Sequence, residues 1–319
     1  MTCDLPYIYE IEPTNHCPYK CIMCPRGLGK MKRPRGFMRM ETVELLLNHF
    51  HPSQQLVRVH HFGEAILHPE IHTILNMLGT KGLTTVLSLN PATLTPELIQ
   101  KILSSKVNIV CFSLDGFSDK NLRDIRGIQC GFNKCWEMIE QLIQESRNQS
   151  QFILKVIQMV RLNANLQDID RFNRIKEIYP EPDVHLYLAE NIGFGDLSLV
   201  EQTLTNGNDR IQKTASPCAA PFSEISVLWN GDVVLCCYDY DGFQVIGNIH
   251  EQSISDIWYG EMVQSIRELF KSRKTESLPL CGSCFMAPHH FLRIKSLKTK
   301  VWKEEQEILS IYTQAKKRT

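Results

Sequence analysis

The sequence lacks the features that would place a protein at a membrane or on nucleic acid. No stretch reaches the roughly 18 consecutive apolar residues that a membrane-spanning helix needs. Neither sign of charge is in excess, since 35 Lys and Arg balance 35 Asp and Glu. The strongly basic balance of a nucleic-acid binder is therefore missing. The opening residues, MTCDLPYIYEIEP, carry acidic groups and no apolar core, so no export signal is read there. Internal repeats and low-complexity segments are also lacking. These absences predict a cytoplasmic globular protein with no membrane and no nucleic-acid partner. Its 319 residues, 43% of them hydrophobic, suffice for one large domain followed by a smaller one.

Cysteine, by contrast, is abundant. Twelve cysteines in a chain without an export signal point to metal ligands or catalytic groups rather than disulfides. Residues 15–27, NHCPYKCIMCPRG, place Cys17, Cys21 and Cys24 in a C-x3-C-x2-C spacing. Three thiolates fall one short of the closed tetrahedral set that structural zinc prefers. His16 is a poor fourth ligand, because it abuts Cys17 and neighbouring residues rarely point at one metal. A [4Fe-4S] cube held by three cysteines leaves one iron open to a small molecule. A zinc knuckle or three buried thiols are the bland alternatives.

The first two-thirds of the chain alternates strand-like runs, at 7–13, 55–61, 84–90, 107–116, 151–160 and 183–190, with helix-like runs at 41–50, 68–82, 95–105, 132–146 and 166–178. The strands are apolar on both faces, as in parallel sheets covered by helices. Six β/α steps predict an α/β fold, an open, partial (β/α)6 TIM-like barrel with its ligand site at the C-terminal strand ends. After about Gly193 the pattern changes to a linker. Two strands joined by Asn230-Gly231 then read as a hairpin over 224–237. A helix over about 253–270, a CGSC loop and a basic C-terminal helix follow. The expected domains are 1–205 and 206–319.

Four features in chain order resemble the radical S-adenosylmethionine (SAM) superfamily. Cys17, Cys21 and Cys24 follow the first strand. FGEAILHP (62–69), with Gly63 and Glu64, is similar to the GGE motif after the second. SLNPATLT (88–95) ends the third strand, and FSLDG (112–116) the fourth. The resemblance implies that the open iron chelates SAM and that Glu64 binds its ammonium group. It further implies that Asn90 and Ser88 bond its ribose or carboxylate and that Gly63 and Asp115 complete the cradle. Met23, where many members carry an aromatic, would cover the adenine with a soft apolar side chain. One electron from the reduced cluster would yield methionine and a 5′-deoxyadenosyl radical, which takes a hydrogen atom from substrate.

Cys218, Gly231 and Cys236 in a C-x12-G-x4-C spacing, then Cys281 and Cys284 in CGSC, resemble the SPASM domain of such enzymes. No cysteine follows Cys284, which matches the truncated "twitch" form, an α+β unit with one auxiliary [4Fe-4S] cluster on these four ligands. A zinc ribbon is the alternative on spacing alone. Cys236 fits the glycine spacing better than its neighbour Cys237. Cys3, Cys111, Cys130, Cys135 and Cys237 are expected to be ordinary thiols.

A fully ligated auxiliary cluster suggests an electron outlet, hence a two-electron oxidation of a small sugar- or aminocyclitol-like molecule, as in twitch-type dehydrogenases. The start of the first strand near Tyr7 leaves no leader-binding domain ahead of it, which favours a small molecule over a peptide. Epimerisation, with Cys111, Cys130 or Cys135 returning a hydrogen atom, and peptide modification remain open, as does a non-catalytic iron–sulfur or zinc scaffold. Arg161, His185, Tyr187 and Glu190, at the ends of strands five and six, are candidates for substrate contact or proton transfer. Lys30, Lys32, Arg33, Arg35 and Arg39 form a basic run after the first cysteine loop. The run is either a solvated loop or a docking site for a flavodoxin or ferredoxin reductant, or for a phosphorylated substrate.

Overall fold

A computed structural model describes residues 5–160, 166–179, 182–189, 218, 220–284 and 300–318. The barrel elements are β1 (Tyr7–Ile11), α1 (Met40–Leu47), β2 (Leu56–Val59), α2 (Ile71–Thr80), β3 (Thr84–Leu89), α3 (Pro96–Leu103), β4 (Ile109–Ser113), α4 (Asp119–Arg126), α5 (Phe132–Ser146), β5 (Leu154–Val160), α6 (Leu166–Ile178) and β6 (Val184–Ala189). The second part comprises β7 (Glu224–Val227), β8 (Asp232–Val234), β9 (Val245–Asn248), α7 (Ile254–Tyr259), α8 (Glu261–Ser272) and α9 (Lys300–Arg318). The expected boundary at 205/206 lies outside the described residues.

The strands run β6-β5-β4-β3-β2-β1-β7-β8-β9 in one open sheet. All pairings from β6 to β1 are parallel. β7 also joins β1 in parallel, with Ile11 opposite Val227, and the β7-β8 and β8-β9 pairs are antiparallel. The sheet of the partial barrel therefore continues into the hairpin of the second part.

Alternation gives the barrel strands two faces. Val57, Val59, Leu87, Leu89, Val110, Phe112, Ile157 and Met159 pack with helix residues such as Leu46, Leu75, Ile102 and Ile139 in the main core. The opposite face carries Leu56, Val86, Ile109, Leu154 and Val156, and these pack against Tyr312 and Ala315 of α9. Asn108 Nδ2 donates to Tyr312 Oη at 3.1 Å. The last helix thus covers the inner face at the N-terminal strand ends. Above it, the inner face becomes polar.

Three elements differ from the sequence reading. The segment DKNLRDIR forms α4, where only Leu122 and Ile125 are buried. Two apolar residues in eight give too weak a periodicity to read, but Ser118 caps the helix through Asn121 N and Gly127 closes it in the left-handed conformation. The helix expected over 253–270 is broken in two at Gly260, whose ψ of 157° is extended. β9 is a third strand of the hairpin sheet, too short and too glycine-interrupted to show alternation.

Candidate functional site

The loop after β1 is clasped by Asn15, which is fully buried. Its Nδ2 donates to Pro34 O at 2.8 Å, and its Oδ1 accepts from Gly36 N at 2.9 Å. The cysteine segment coils between these arms through Cys24 N to Cys21 O (3.1 Å) and Leu28 N to Cys24 O (3.1 Å). Gly63 is demanded by packing, because a Cβ there would lie 1.9 Å from Thr14 O. The next residue locks the approach, with Glu64 N donating to His16 O at 2.8 Å. The motif after β2 is therefore pressed onto the cysteine loop.

Cys17, Cys21 and Cys24 come together, each acting electrostatically on another. Burial pushes the Cys17 thiol up to about 12, with Glu64 and the other two cysteines adding to it. Cys24 is raised for the same first reason. Crowded, buried sulfurs of this kind ionise when a cationic centre supplies the missing charge, so the donor set suits a thiolate-ligated iron cluster.

Glu64 is buried, and burial raises its carboxyl to about 8, against the Asn90 N–H and Arg126. Among the described residues, its two oxygens accept from Asn90 N alone, at 3.2 and 3.1 Å. An ammonium group placed there would restore its charge. Asn90 serves its own turn, with Oδ1 accepting from Ala92 N (3.0 Å) and Nδ2 donating to Ser113 O (3.3 Å). Its backbone N–H, rather than its side chain, is what aims Glu64. Ser88 hydrogen-bonds the Cys111 thiol. Asp115 is fully buried at a φ of 56° and pairs with Arg126. Met23 packs with Ile125 and Val160 beside Cys21.

Cys218, Cys236, Cys281 and Cys284 line one cavity, walled by Ala220, Leu235 and Phe270 among others. Burial raises Cys218 most, then Cys236, with Cys284 and Cys281 also acting on it. Four sulfurs around one space with apolar walls fit a fully ligated iron–sulfur cluster. Cys237 stays outside this cavity and lies near Glu10 and Glu224 instead.

The loop after the first cysteine set contributes to a buried pair. Arg33 forks onto Glu12, Nη1 reaching Oε2 at 2.6 Å and Nη2 reaching Oε1. Arg33 Nε donates to Tyr240 O at 2.8 Å, and its backbone N to Asp241 Oδ1 at 2.9 Å. Burial opposes it, but His61 and then Arg33 hold the Glu12 carboxyl below its ordinary range. This corrects one expectation: Arg33, read as part of a basic run that is either a solvated loop or a docking site, ties the first cysteine loop to the loop after Cys237. Replacing Arg33 with methionine should cost about 3–5 kcal/mol of stability, because Glu12 is left as a buried unpaired charge. Urea unfolding of the cluster-free protein measures this.

The inner wall collects polar residues by register. Arg58 lies opposite Val86. Ser88, Cys111, Val156 and His185 form one row, and Ser113, Gln158 and Tyr187 the next. His185 and Tyr187 thus share the inner face, their rings stacked at 6.2 Å, while Leu186 joins the main core. Arg161 and Glu190 lie outside the described residues. Cys135 is in the helix-layer core and Cys130 packs against it.

Arg58, His60 and Arg126 were missed from the sequence. The signal for the first two was VRVHH, a cation and a histidine alternating with valines. His60 Nδ1 is buried and has no hydrogen-bond partner among the described residues. Burial, then His61, Arg58 and Arg126, push its ring down to about 3. Burial takes His61 to about 4 despite Glu12. Both folded values lie below the unfolded value near 6.5. Their stabilising effect is therefore complete above about pH 6.5 and lost as pH falls toward those values, since the unfolded chain binds the extra protons. Unfolding free energy of the cluster-free protein should drop by up to about 1.4 kcal/mol per pH unit for each histidine in that window. His60→Phe should flatten the slope.

Comparisons with known proteins agree with this geometry. The Radical SAM superfamily pattern matches residues 11–174, and the SPASM iron–sulfur cluster-binding domain matches 218–285. An AdoMet-dependent heme synthase of Methanosarcina barkeri is 23% identical over 195 residues, covering 61% of this chain and 54% of that protein. A SAM-dependent 2-deoxy-scyllo-inosamine dehydrogenase of Niallia circulans is 35% identical over 72 residues, 23% of this chain and 29% of that one. The chain thus spans about half the length, or less, of these curated relatives. Among solved structures, BtrN in complex with AdoMet and 2-DOIA superposes with a TM-score of 0.55 at 16% identity, covering 93% of this chain and 98% of that one. Streptococcus suis SuiB bound to precursor peptide SuiA gives 0.62 at 15% identity, over 88% and 70%. At such identities the likeness is one of fold. The matched domains bring a SAM-binding [4Fe-4S] cluster, SAM and an auxiliary iron–sulfur cluster. Among the described residues no helix is long and apolar enough to cross a membrane. A partial barrel with a three-cysteine loop pinned by Gly63-Glu64, followed by a four-cysteine unit, places this chain in the radical SAM superfamily, to which it belongs.

Proposed function

We propose that this enzyme oxidises a hydroxyl-bearing small molecule of the aminocyclitol or sugar class by two electrons. The observation that carries the reading is the second site: four cysteine sulfurs face one cavity, so a cluster there has no open iron for substrate and is suited to accept an electron. The local likeness to a 2-deoxy-scyllo-inosamine dehydrogenase supports the substrate class.

Cys17, Cys21 and Cys24 would hold the first cluster, and Glu64, aimed by Asn90 N, would meet the SAM ammonium. Gly63 lets the motif press onto the cysteine loop, and Ser88 and Asp115 would complete the cradle for SAM. When bound, cluster and SAM supply a 5′-deoxyadenosyl radical that removes one hydrogen atom from a substrate C–H bond. Losing that atom acidifies the neighbouring hydroxyl. His60, whose Nδ1 has no hydrogen-bond partner among the described residues, would take the hydroxyl proton, and Cys218, Cys236, Cys281 and Cys284 would hold the cluster that takes up the remaining electron. The ketone and 5′-deoxyadenosine then form in equal amounts. Arg58, His185 and Tyr187 line the same wall and orient the polyol. The exposed Lys32, Arg35 and Arg39 of the basic run would meet a flavodoxin or ferredoxin reductant.

The test is anaerobic reconstitution with SAM and dithionite, using 2-deoxy-scyllo-inosamine and related aminocyclitols as probes. A product lacking two hydrogens, equimolar with 5′-deoxyadenosine, is expected. One observation favours a second reading: Cys111 stands on the inner wall while Cys130 and Cys135 do not. Deuterium taken up from solvent with no change in oxidation level would mean epimerisation, with Cys111 as hydrogen donor.

A further inference from the structure

A directional chain of hydrogen bonds runs from the substrate wall to the cysteine loop. Tyr187 Oη donates to Gln158 Oε1. Gln158 Nε2 donates to Asp115 Oδ1 at 3.3 Å. Arg126 Nη2 pairs with Asp115 Oδ2, and Arg126 Nη1 points at Cys21 Sγ from 3.5 Å. Each member has one sense only. An amide that gives its N–H to a carboxylate presents its oxygen to the tyrosine, so the tyrosine must donate. A guanidinium has no acceptor, so at both ends it donates.

The backbone holds this chain in place. Asp115 sits at a φ of 56°, a region in which a non-glycine residue is strained, and its N–H donates to Gln158 O at 3.1 Å. The end of α4 lies along the cysteine loop through Lys20 N to Arg126 O (3.2 Å) and Ile22 N to Ile125 O (2.9 Å). The Arg126 and Asp115 side chains are 13% and 0% exposed. Burying an ion pair is costly relative to apolar residues of the same volume, and here it replaces apolar packing right beside a cysteine sulfur.

We propose that Arg126 is a positioning residue for the SAM-binding cluster: it donates to the Cys21 thiolate, and Asp115, Gln158 and Tyr187 hold it there, linking the substrate wall to the cluster's reduction potential. The proposal rests on the reading that Cys21 is a cluster ligand. An N–H bond to a ligating sulfur draws electron density from the cluster and favours its reduced state. In a low-dielectric site a charged donor does this strongly. Disturbance of Tyr187, whose ring is partly exposed on the wall, reaches Cys21 through three intervening groups, so substrate arrival can shift how readily the cluster is reduced.

The experiment is an EPR-monitored redox titration of the reconstituted full chain, following the signal that changes when SAM is added. At the potential where the wild type is half reduced, Arg126→Gln should show a reduced fraction lower by about a factor of three or more. Arg126→Lys, which keeps one donor, should recover part of the loss. Gln158→Leu and Tyr187→Phe should move the signal in the same direction by less, with iron content unchanged. An unmoved potential in both Arg126→Gln and Gln158→Leu, at full iron content, overturns the proposal. If Arg126→Gln loses its iron, an unmoved potential in both Gln158→Leu and Tyr187→Phe overturns it equally. Cys21→Ala separates the two readings: if the SAM-sensitive signal survives that change, the ligand assignment itself has failed.

Discussion

Replacing Cys24 with alanine is expected to abolish formation of 5′-deoxyadenosine, down to the level of a reaction without enzyme. The argument starts from ligand count. Three sulfurs hold three irons of a cubane, and the fourth iron is the one that meets SAM. With two sulfurs left, in a loop already closed by Cys24 N to Cys21 O and Leu28 N to Cys24 O, the 15–27 segment has no other cysteine to replace the third. His16 is the nearest alternative in sequence, but its ring is stacked on Phe37 at 4.6 Å. Iron in the anaerobic protein should fall from about eight to about four per chain in the Cys17/Cys21/Cys24 triple variant. The residual iron should remain at the second site. Wild-type levels of 5′-deoxyadenosine in Cys24→Ala would remove the radical reading altogether.

The second large effect concerns the outlet. The double variant Cys281→Ala, Cys284→Ala removes two of the four sulfurs that line the auxiliary cavity. Iron should again fall from about eight to about four, now with the SAM-sensitive EPR signal kept. Cleavage of SAM should persist while net oxidation of the aminocyclitol probe falls by about 100-fold or more, because the substrate radical has lost its acceptor and 5′-deoxyadenosine accumulates without product. The two variants thus fail in opposite ways. If the double variant still yields ketone at the wild-type rate, the electron leaves by another route.

The legible and illegible parts of this chain differ for physical reasons. Cysteine spacing is local, so both cysteine sets could be read directly; Cys17, Cys21 and Cys24 share one loop, and the other four line one cavity. The β/α alternation was equally plain, because Ile8, Val59, Leu87, Phe112 and Ile157 bury one face against amphipathic helices. Arg126 was invisible for the opposite reason: its helix has almost no apolar stripe, and its partners Asp115 and Cys21 lie 11 and 105 positions away along the chain. Arg33 was misread because a run of like charges usually marks a solvated surface, while the Glu12 carboxylate that claims it is 21 positions upstream. His60 required knowing which strand face points inward, and that depends on α9 covering the lower barrel from the far end of the sequence.

The parallel ladder between β1 and β7 has a bearing on electron flow. The segment leading to Cys17 leaves the end of β1, and Cys218 and Cys236 flank the β7-β8 pair on the neighbouring strands. Tunnelling rates decay exponentially with separation, so a hinge between the two cysteine sets would turn every thermal excursion into a change of rate. Here a ladder of backbone hydrogen bonds ties the strand before Cys17 to the strand between Cys218 and Cys236, and such a ladder yields far less than a loop does. The Arg33–Glu12 fork and the Asp241 contact add side-chain ties between the loop after Cys24 and the loop after Cys237. Clusters held on these cysteines would therefore vary less in separation than clusters joined by a loop alone.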